Sequence, residues 1–254
     1  MAITRAVSPA FERCELTHLE RVVIDVHLAR AQHLDYEGCL AALGYEICRL
    51  PTGPDLPDSV FVEDIAVVLD EAAVITNPGA ASRRPELPAV AGALERYRRL
   101  LSIEPPDTLD GGDVLRLGKQ LFAGLSDRTG QGGIEQLRRL VEPLGYQVTG
   151  VPVRGCLHLK SAVTQVAADT LLANPDWVEP PFFPGWRVIE VDPSEPFAAN
   201  ALLVGEMLIY PAAYPATRNR LERAGIRVEV IDVSEIAKAE GGVTCCSLIF
   251  EARE

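Results

Sequence analysis

The stretch VLRLGKQLFAGLSDRTGQGGIEQLRRLVEPLGYQVTGV, residues 114–151, contains the pattern that decides the fold. Its first two apolar runs are separated by the pair Gly118–Lys119, which is typical of a hairpin turn. Apolar residues then recur at helical spacing over 134–144, and after Gly145 apolar and polar residues alternate as in a half-buried strand. The stretch therefore predicts a module of hairpin, helix and strand.

The last strand of this module has counterparts along the whole chain. Each begins with glycine or arginine and then alternates, and the five copies are GYEICRL from Gly44, RRLLSIE from Arg98, GYQVTGV from Gly145, GWRVIEV from Gly185 and GIRVEVIDV from Gly225. Four of them are followed by a predicted hairpin, with the turn pairs Asp70–Glu71, Gly118–Lys119, Ala168–Asp169 and Gly205–Glu206.

The fifth copy is followed by a single apolar run, CCSLIFEA at residues 245–252. Its missing hairpin partner is most simply ITRAV, residues 3–7. The two ends of the chain then share one module, and the modules form a closed ring of small sheets with helices outside, which protects against open sheet edges. The alternative is a two-domain doubly wound protein with singly alternating strands and helices, but the hairpins favour the ring.

Amphipathic stretches predict the helices of the ring. One has five apolar residues at helical spacing: Leu87, Val90, Ala91, Leu94 and Leu101. Another starts near Ile134 and stops at Gly145. Segment 177–184, WVEPPFFP, has too much proline to be helical throughout, so we expect a degenerate helix in that module.

The composition limits the classes of function. The 254 residues carry 24 Lys and Arg against 36 Asp and Glu, a net charge of −12. This sign is wrong for a protein that binds a phosphate backbone, so we expect no nucleic-acid partner, whereas cationic small molecules would be attracted. No apolar segment reaches signal-peptide or membrane-spanning length, so we expect a cytoplasmic protein without a membrane partner.

The cysteines are sparse, and they are Cys14, Cys39, Cys48, Cys156, Cys245 and Cys246. A reducing compartment argues against disulfides. No group of cysteines and histidines has zinc-ligand spacing, so we expect no metal site.

Polar residues follow each of the five predicted strands at the same position in the module. The loops are PDSVFVED with Asp58, Glu63 and Asp64, LDGGD with Asp110 and Asp113, CLHLKS with His158, FAAN with Asn200, and GGVTCCS with Cys245 and Cys246. From Asp64 to Cys245 the successive separations are 46, 48, 42 and 45 residues. In a ring this spacing brings the loops to the axis, where cysteine, histidine and carboxylates together indicate a thiol-dependent catalytic site.

Each of these residues also has a structural explanation when taken singly. A histidine between leucines is commonly a core residue, and cysteine is commonly buried and inert. The glycine pair of LDGGD fits an ordinary turn, and the carboxylates of PDSVFVED fit a solvated face. Their shared position in the repeat favours the catalytic interpretation.

Together the motifs resemble a known family. PDSVFVED, NPGAASRR, LDGGDVL, GLSDRTGQ, CLHLKS, FAAN and GGVTCCSLIF resemble, in order and spacing, the motifs of the dimethylarginine dimethylaminohydrolases over nearly the whole chain. That family belongs to the guanidino-group-modifying (pentein) superfamily. The resemblance implies an α/β fold, a five-bladed α/β propeller of ββαβ modules, with residues 1–254 forming one catalytic domain. Arginine deiminases are less similar, because they carry an additional helical domain for which 254 residues leave no room.

The resemblance also implies roles for individual residues. Cys245 is the nucleophile, His158 is the acid and then the base, and Asp110 orients His158. One departure is Asp110 itself, where many relatives have glutamate. The implied substrate-binding residues are the carboxylates Asp58, Glu63 and Asp64 for a guanidinium, Arg83 and Arg128 for an α-carboxylate, and the backbone of Leu16 and Ala239.

The implied reaction converts Nω-methylated L-arginine to L-citrulline and a methylamine through a covalent thiouronium on Cys245. It requires no cofactor. The expected partner is a cationic amino acid, and the sequence does not decide whether the protein forms a homodimer. Arginine deimination, another guanidine hydrolysis and a non-catalytic binding module on the same ring are the alternatives. We expect Cys246 to lie on the opposite face of the same strand and to belong to the core.

Overall fold

Five three-stranded sheets make up the fold, which confirms the α/β propeller that the sequence predicts. The computed structural model describes residues 1–252. The strands are β1 (Ala2–Arg5), β2 (Ile47–Leu50), β3 (Ala66–Val68), β4 (Ala72–Ile75), β5 (Arg99–Ser102), β6 (Val114–Leu117), β7 (Gln120–Leu125), β8 (Gln147–Pro152), β9 (Val163–Ala167), β10 (Thr170–Ala173), β11 (Arg187–Glu190), β12 (Leu202–Val204), β13 (Met207–Pro211), β14 (Arg227–Ile231) and β15 (Leu248–Ile249).

Every sheet has the same internal arrangement. The sheets are β15-β1-β2, β3-β4-β5, β6-β7-β8, β9-β10-β11 and β12-β13-β14. The central strand pairs antiparallel with its hairpin partner and parallel with the third strand. The predicted hairpins and the five predicted third strands are therefore confirmed.

Helices connect the central strand to the third strand in four of the modules. The helices are α1 (Val26–Ala42), α2 (Leu87–Leu94), α3 (Gln131–Val141), α4 (Leu159–Ala162), α5 (Pro215–Arg223) and α6 (Ser234–Ala237). Short 3₁₀ turns occupy Phe11–Arg13, Val62–Ile65, Ala81–Glu86, Gly111–Asp113, Glu142–Leu144 and Pro180–Phe182. The turn Pro180–Phe182 stands where the fourth module would have its helix, so the degenerate helix expected in segment 177–184 is confirmed. Among residues 1–252, no helix combines the length and apolar character needed to cross a membrane.

The two ends of the described chain close the ring. Strand β1 is the central strand of its sheet, with Ala2 opposite Ile249 in β15 and opposite Ile47 in β2. The terminal amino group of Met1 donates to the carbonyl of Phe250 at 3.0 Å. The strand predicted at residues 3–7 is observed at Ala2–Arg5, so it begins one residue and ends two residues earlier than predicted, and it occupies the predicted place in the sheet.

One predicted helical residue belongs to a strand instead. Helix α2 ends at Leu94, and Leu101 lies in β5 opposite Val74. The seven-residue distance between Leu94 and Leu101 is about two helical turns, so the spacing alone mimics a helix, although Leu101 packs against a different apolar cluster from that of Leu94. By contrast, α3 continues as the 3₁₀ turn Glu142–Leu144 and ends at Gly145, whose φ of 82° suits glycine.

Each long helix packs into the joint between its own sheet and the preceding one. Ile134 and Leu137 of α3 share an apolar cluster with Leu121 of their own module and Val74 of the module before it. Helices α1 and α2 are placed in the same way. The apolar side chains of the helices therefore hold neighbouring modules together, and this fixes where the loops at the end of each third strand lie.

Closure by the ends predicts that removal of residues 1–7 unfolds the protein, because β2 and β15 would both lose their partner. Ile3 is fully buried, so Ile3→Ala is the graded version and should cost roughly 2–5 kcal/mol of unfolding free energy. Thermal and urea unfolding, followed by circular dichroism, measure the stability of the truncated protein and of the Ile3→Ala variant. The control is Leu34→Ala, since Leu34 is 51% exposed and its truncation should change stability by less than about 0.5 kcal/mol. A truncated protein that melts at the wild-type temperature would contradict closure by these strands.

Candidate active site

Loops from different modules meet around one cavity, and most of the predicted site residues lie on them. Asp64 lies in the turn Val62–Ile65, and His158 immediately precedes α4. Seven predicted residues line the cavity, namely Asp58, Asp64, Arg83, Arg128, His158, Ala239 and Cys245. Five more residues that the sequence did not single out line it as well: Glu15, Phe61, Leu157, Glu240 and Gly241. We call this cavity the catalytic pocket.

His158 and Asp110 form a fixed pair. Nε2 of His158 lies 3.0 Å from Oδ2 of Asp110, and both side chains are buried. The other oxygen of Asp110 accepts the Gly79 amide at 2.8 Å, so the carboxylate cannot rotate freely. Burial alone lowers the pKa of His158, but Asp64, Asp110 and Asp113 outweigh it and raise the pKa to about 9. The imidazole is therefore protonated at neutral pH and can act first as an acid.

The glycine pair after Asp110 lets the backbone of Glu63 and the side chains of Asp64 and His158 approach closely. A Cβ on Gly111 would lie 2.0 Å from the carbonyl oxygen of Glu63. A Cβ on Gly112 would lie 2.5 Å from Oδ1 of Asp64 and 2.6 Å from Nδ1 of His158. The amide of Gly112 also donates to Oδ1 of Asp64 at 3.1 Å. These glycines thus have a packing role that an ordinary turn would not require.

Asp113 positions His158 through a hydrogen bond to the residue that follows it. Its Oδ1 accepts the amide of Leu159 at 2.9 Å, and its Oδ2 accepts the hydroxyls of Ser126 and Thr129 at 2.6 and 2.7 Å. Burial raises the pKa of Asp113 to about 6, against the effects of His158 and these hydrogen bonds. The second aspartate of LDGGD therefore ties the residue after His158 to the neighbouring loop.

Cys245 lies in a turn and not in a strand, so the expectation that the two cysteines point to opposite faces of one strand is wrong. The turn covers residues 243–246, and β15 begins only at Leu248, so strand alternation does not separate the two cysteines. Cys245 nevertheless opens onto the catalytic pocket, whereas Cys246 is buried in an apolar cluster and donates to the carbonyl of Gly242 at 3.7 Å. Cys246 is thus a core residue, as expected, but through turn geometry.

The Cys245 thiol sits in a strongly negative environment. Burial, Glu63 and Asp64 raise its pKa to about 12, and the amide of Gly242, 3.3 Å from the sulfur, only partly offsets them. The turn itself is held by Asn200, whose side-chain oxygen accepts the Thr244 amide at 3.1 Å. In this state the sulfur is a neutral thiol, so a cation beside it is needed to favour the thiolate.

Two of the predicted substrate carboxylates face the catalytic pocket. Burial raises the pKa of Asp64, but His158 and Arg83 outweigh it and leave the pKa below its usual value. Burial raises the pKa of Asp58 to about 6, although Arg83 acts against it. Asp58 accepts the amide of Glu15 through both oxygens, at 3.1 and 3.3 Å.

Glu63 has a different place from the other two carboxylates. Its oxygens accept Lys160 at 2.5 Å and the hydroxyl of Thr244 at 2.8 Å. Glu63 and Lys160 both line a second cavity, which lies between the sheets and is bordered by residues of β3, β6, β9, β12 and β15. The Glu63–Lys160 pair therefore lies between the catalytic pocket and the interior of the ring.

The two predicted arginines differ in their surroundings. Arg83 is buried and forms ion pairs with Asp64 and with Glu86, and its Nη2 also donates to the carbonyl of Phe61 at 2.9 Å. Arg128 is half-buried, and its Nη2 donates to the hydroxyl of Thr17 at 3.1 Å. Within residues 1–252, Arg128 has no acidic side chain within 4.0 Å, whereas the charge of Arg83 is already balanced.

The two predicted backbone contacts lie beside the catalytic pocket. Ala239 is buried in its wall, whereas the Leu16 side chain is half-buried against an apolar cluster. Glu15 and Glu240, which the sequence did not single out, are their immediate neighbours. Adjacency to Leu16 and Ala239 was the one signal that could have indicated them.

Asp64, Asp110 and His158 bring their ligand atoms within 4.8 Å of one another, which is a composition that metal ions can use. The raised pKa of His158 favours the imidazolium, and an imidazolium cannot ligate a metal. The arrangement of Asp64, Asp110 and His158 therefore suits proton transfer better than metal binding.

Comparison with known proteins gives matches over nearly the whole chain. No protein-family model matches. The N(G),N(G)-dimethylarginine dimethylaminohydrolase of Streptomyces coelicolor is 41% identical over 249 residues, which cover 97% of this chain and 95% of that protein. A structure of the Pseudomonas aeruginosa enzyme, a cysteine-to-serine mutant complexed with citrulline, has a TM-score of 0.94 at 35% identity and 98% coverage of both chains. A histidine-to-glycine dimethylarginine dimethylaminohydrolase, as an adduct with S-methyl-L-thiocitrulline, has a TM-score of 0.93 at 34% identity, again with 98% of both chains covered.

The geometry predicts that Cys245, not Cys246, reacts with an amidine alkylating agent. The cationic reagent should enter the catalytic pocket and lower the pKa of the adjacent thiol. Peptide mass mapping after incubation with chloroacetamidine should find the label on Cys245, and citrulline should slow the labelling. Cys246→Ala should still be labelled, whereas Cys245→Ala should not. Labelling chiefly at Cys246 would overturn the assignment.

Proposed function

The chain belongs to the dimethylarginine dimethylaminohydrolase family, and on that basis we propose that it hydrolyses Nω-methylated L-arginine to L-citrulline and a methylamine. One observation carries the proposal. His158, which is paired with buried Asp110, and the thiol of Cys245 border the same carboxylate-lined pocket. A nucleophile, an acid and an anionic binding site in one pocket are what this reaction requires.

The carboxylates are suited to the guanidinium group. A guanidinium is a planar cation that keeps its proton to a pKa above about 12, and its N–H groups form charge-assisted hydrogen bonds with carboxylates. Asp64 borders the reacting sulfur, and its negative charge would orient the cation and draw its carbon toward Cys245. Glu63 adds negative charge from behind the pocket.

Binding of the cation would also activate the nucleophile. The pKa of Cys245 is about 12 because of burial and the negative charge of Glu63 and Asp64. A bound guanidinium opposes that charge and lowers the thiol pKa, so the thiol loses its proton to solvent when the substrate arrives. Protonated His158 acts in the same direction.

The first half of the reaction forms a covalent intermediate. The thiolate attacks the guanidinium carbon and forms a C–S bond, giving a tetrahedral adduct. The C–N bond to the methylated nitrogen then breaks, and His158 gives its proton to the departing amine. A thiouronium remains on Cys245, and His158 is left neutral.

The second half of the reaction uses the same histidine as a base. Neutral His158 takes a proton from water, whose oxygen bonds to the thiouronium carbon. The C–S bond then breaks and the hydroxyl proton of the adduct passes to the departing sulfur, which releases neutral citrulline and restores the thiol of Cys245. Asp110 holds the imidazole in place and stabilises its protonated form in both halves.

The amino-acid end of the substrate would bind at the mouth of the pocket. Asp58 accepts the amide of Glu15 beside Leu16, so we assign it to the α-ammonium group and not, as the resemblance implies, to the guanidinium. Arg128 suits the α-carboxylate because its charge is not already balanced by an acid among residues 1–252. The family resemblance assigns the α-carboxylate to Arg83 as well. The ion pairs of Arg83 with Asp64 and Glu86 favour a role in holding Asp64. The backbone of Leu16 and Ala239 would complete the site.

Citrulline formation from three substrates tests the proposal. Asymmetric dimethylarginine and monomethylarginine should release citrulline and dimethylamine or methylamine, with L-arginine as the competing substrate. A difference of one or two methyl groups is worth only about 1–3 kcal/mol, so the ratio of kcat/KM values must be measured. Turnover of L-arginine alone, with ammonia, would indicate a deiminase. No turnover with any guanidine would favour a binding module, and Cys245→Ala is the control.

His158→Gly should separate the two halves of the reaction. The thiolate can still attack a substrate whose leaving group needs no acid, such as S-methyl-L-thiocitrulline, but no group is left to activate water. A mass increase on Cys245 should therefore accumulate in the intact protein, and it should be absent from His158→Gly/Cys245→Ala. Asp110→Asn should slow both halves without trapping the adduct fully. A folded His158→Gly protein with wild-type turnover would rule out this role.

A further inference from the structure

The segment Glu15–Leu19 lies beside the catalytic pocket, which Glu15 lines, and it is hydrogen-bonded to two other residues of the lining, whereas His18 and Leu19 line an adjoining cavity. At one side, the amide of Glu15 donates to Asp58 at 3.1 Å. At the other side, Arg128 donates to the hydroxyl of Thr17 at 3.1 Å. Asp58 and Arg128 both line the pocket. The segment is thus a cover held to residues of the pocket.

One carboxylate holds the end of this cover. Glu240 accepts the amide of Thr17 through both oxygens, at 3.0 and 3.1 Å. It also accepts the amides of His18 and Leu19 through Oε1, at 2.5 and 2.6 Å. Three successive N–H groups therefore converge on one negative charge, and hydrogen bonds to an ionised acceptor are the strong ones. Thr17 and His18 are exposed, so burial does not hold this part of the segment.

The backbone of Glu240 is in a conformation that favours glycine. Its φ is 58°, and no other residue except glycine has a positive φ among residues 1–252. The amide of Gly241 donates to the carbonyl of Ile236, and that of Glu240 to Ala237, as at a helix end closed by a left-handed residue. Glycine is the usual residue at such an end, so a side chain here indicates a use for the carboxylate.

We propose that Glu240 is the latch of the cover, a positioning residue that closes the segment Glu15–Leu19 over the amino-acid end of the substrate. The proposal rests on the proposed function for the identity of the ligand. Glu240 follows Ala239, which lines the pocket, and the cover contains Leu16. When the three amides dock on Glu240, the backbone on both sides of the α-ammonium site becomes fixed together. Opening the latch should therefore weaken binding of the amino acid without changing the groups that perform the chemistry.

The test compares three variants. Glu240→Gly removes the carboxylate and suits the positive φ, so its effect cannot come from backbone strain. Glu240→Gln keeps one acceptor oxygen and loses the charge. Glu20→Ala is the control, because Glu20 is exposed in the same part of the chain and its side chain has no hydrogen bond among residues 1–252. The readouts are amide hydrogen exchange at residues 17–19, the KM and kcat for asymmetric dimethylarginine, and the Kd for citrulline.

In Glu240→Gly, we expect exchange at residues 17–19 to accelerate by at least about tenfold, with a rise of similar size in KM and in the Kd for citrulline. The kcat should not fall, and Glu240→Gln should lie between this variant and the wild type. Unchanged exchange would overturn the latch, and faster exchange with unchanged KM and Kd would overturn its role in binding. Exchange does not depend on turnover, so a wild-type protein without hydrolase activity would refute the proposed function while the exchange result still decided the latch.

Discussion

Six buried carboxylates lie around the catalytic pocket, and within residues 1–252 three cationic side chains lie at ion-pair distance from them. The carboxylates are Asp58, Glu63, Asp64, Glu86, Asp110 and Asp113, and the cations are Arg83, His158 and Lys160. An ionised group in a protein interior is costly unless fixed partners surround it. The ring supplies those partners, because loops from different modules bring backbone amides to Asp58, Asp64, Asp110 and Asp113. The remaining excess of negative charge is what a cationic substrate would neutralise.

The same charge sets a conflict between binding and reactivity. Carboxylates that attract a guanidinium also raise the pKa of Cys245, and a thiol with a pKa of about 12 is a poor nucleophile at neutral pH. The conflict disappears once the cation is bound, since it opposes Glu63 and Asp64 at close range. His158 experiences the opposite effect, because the carboxylates hold its proton until a leaving group takes it. One electrostatic environment thus keeps His158, the proposed acid, charged and Cys245, the proposed nucleophile, neutral before the substrate arrives.

Much of the fold could be predicted because it is encoded locally. Each hairpin and each third strand is a short alternating run bounded by turn residues, and the pairing of the two chain ends followed from a single missing strand. Leu101 was placed wrongly, because its distance of seven residues from Leu94 is about two helical turns, although the helix ends at Leu94. The orientation of Cys246 was predicted from a strand that begins only at Leu248. The parts played by Asn200, Asp113 and Glu240 depend on which loops of other modules lie beside them, and no spacing along the chain contains that information.

Ring closure by the chain ends has a consequence for the order of folding. The four other sheets join strands that lie near one another in sequence, so each can assemble from local contacts. The closing contact between Met1 and Phe250 joins residues separated by 249 positions. Contacts of such long range carry the greatest loop-closure entropy and form late. During synthesis, the edge of β1 that pairs with β15 therefore stays unpaired until β15 has been made. The turn that carries Cys245, the proposed nucleophile, lies just before β15, so it reaches its place only with the closing strand.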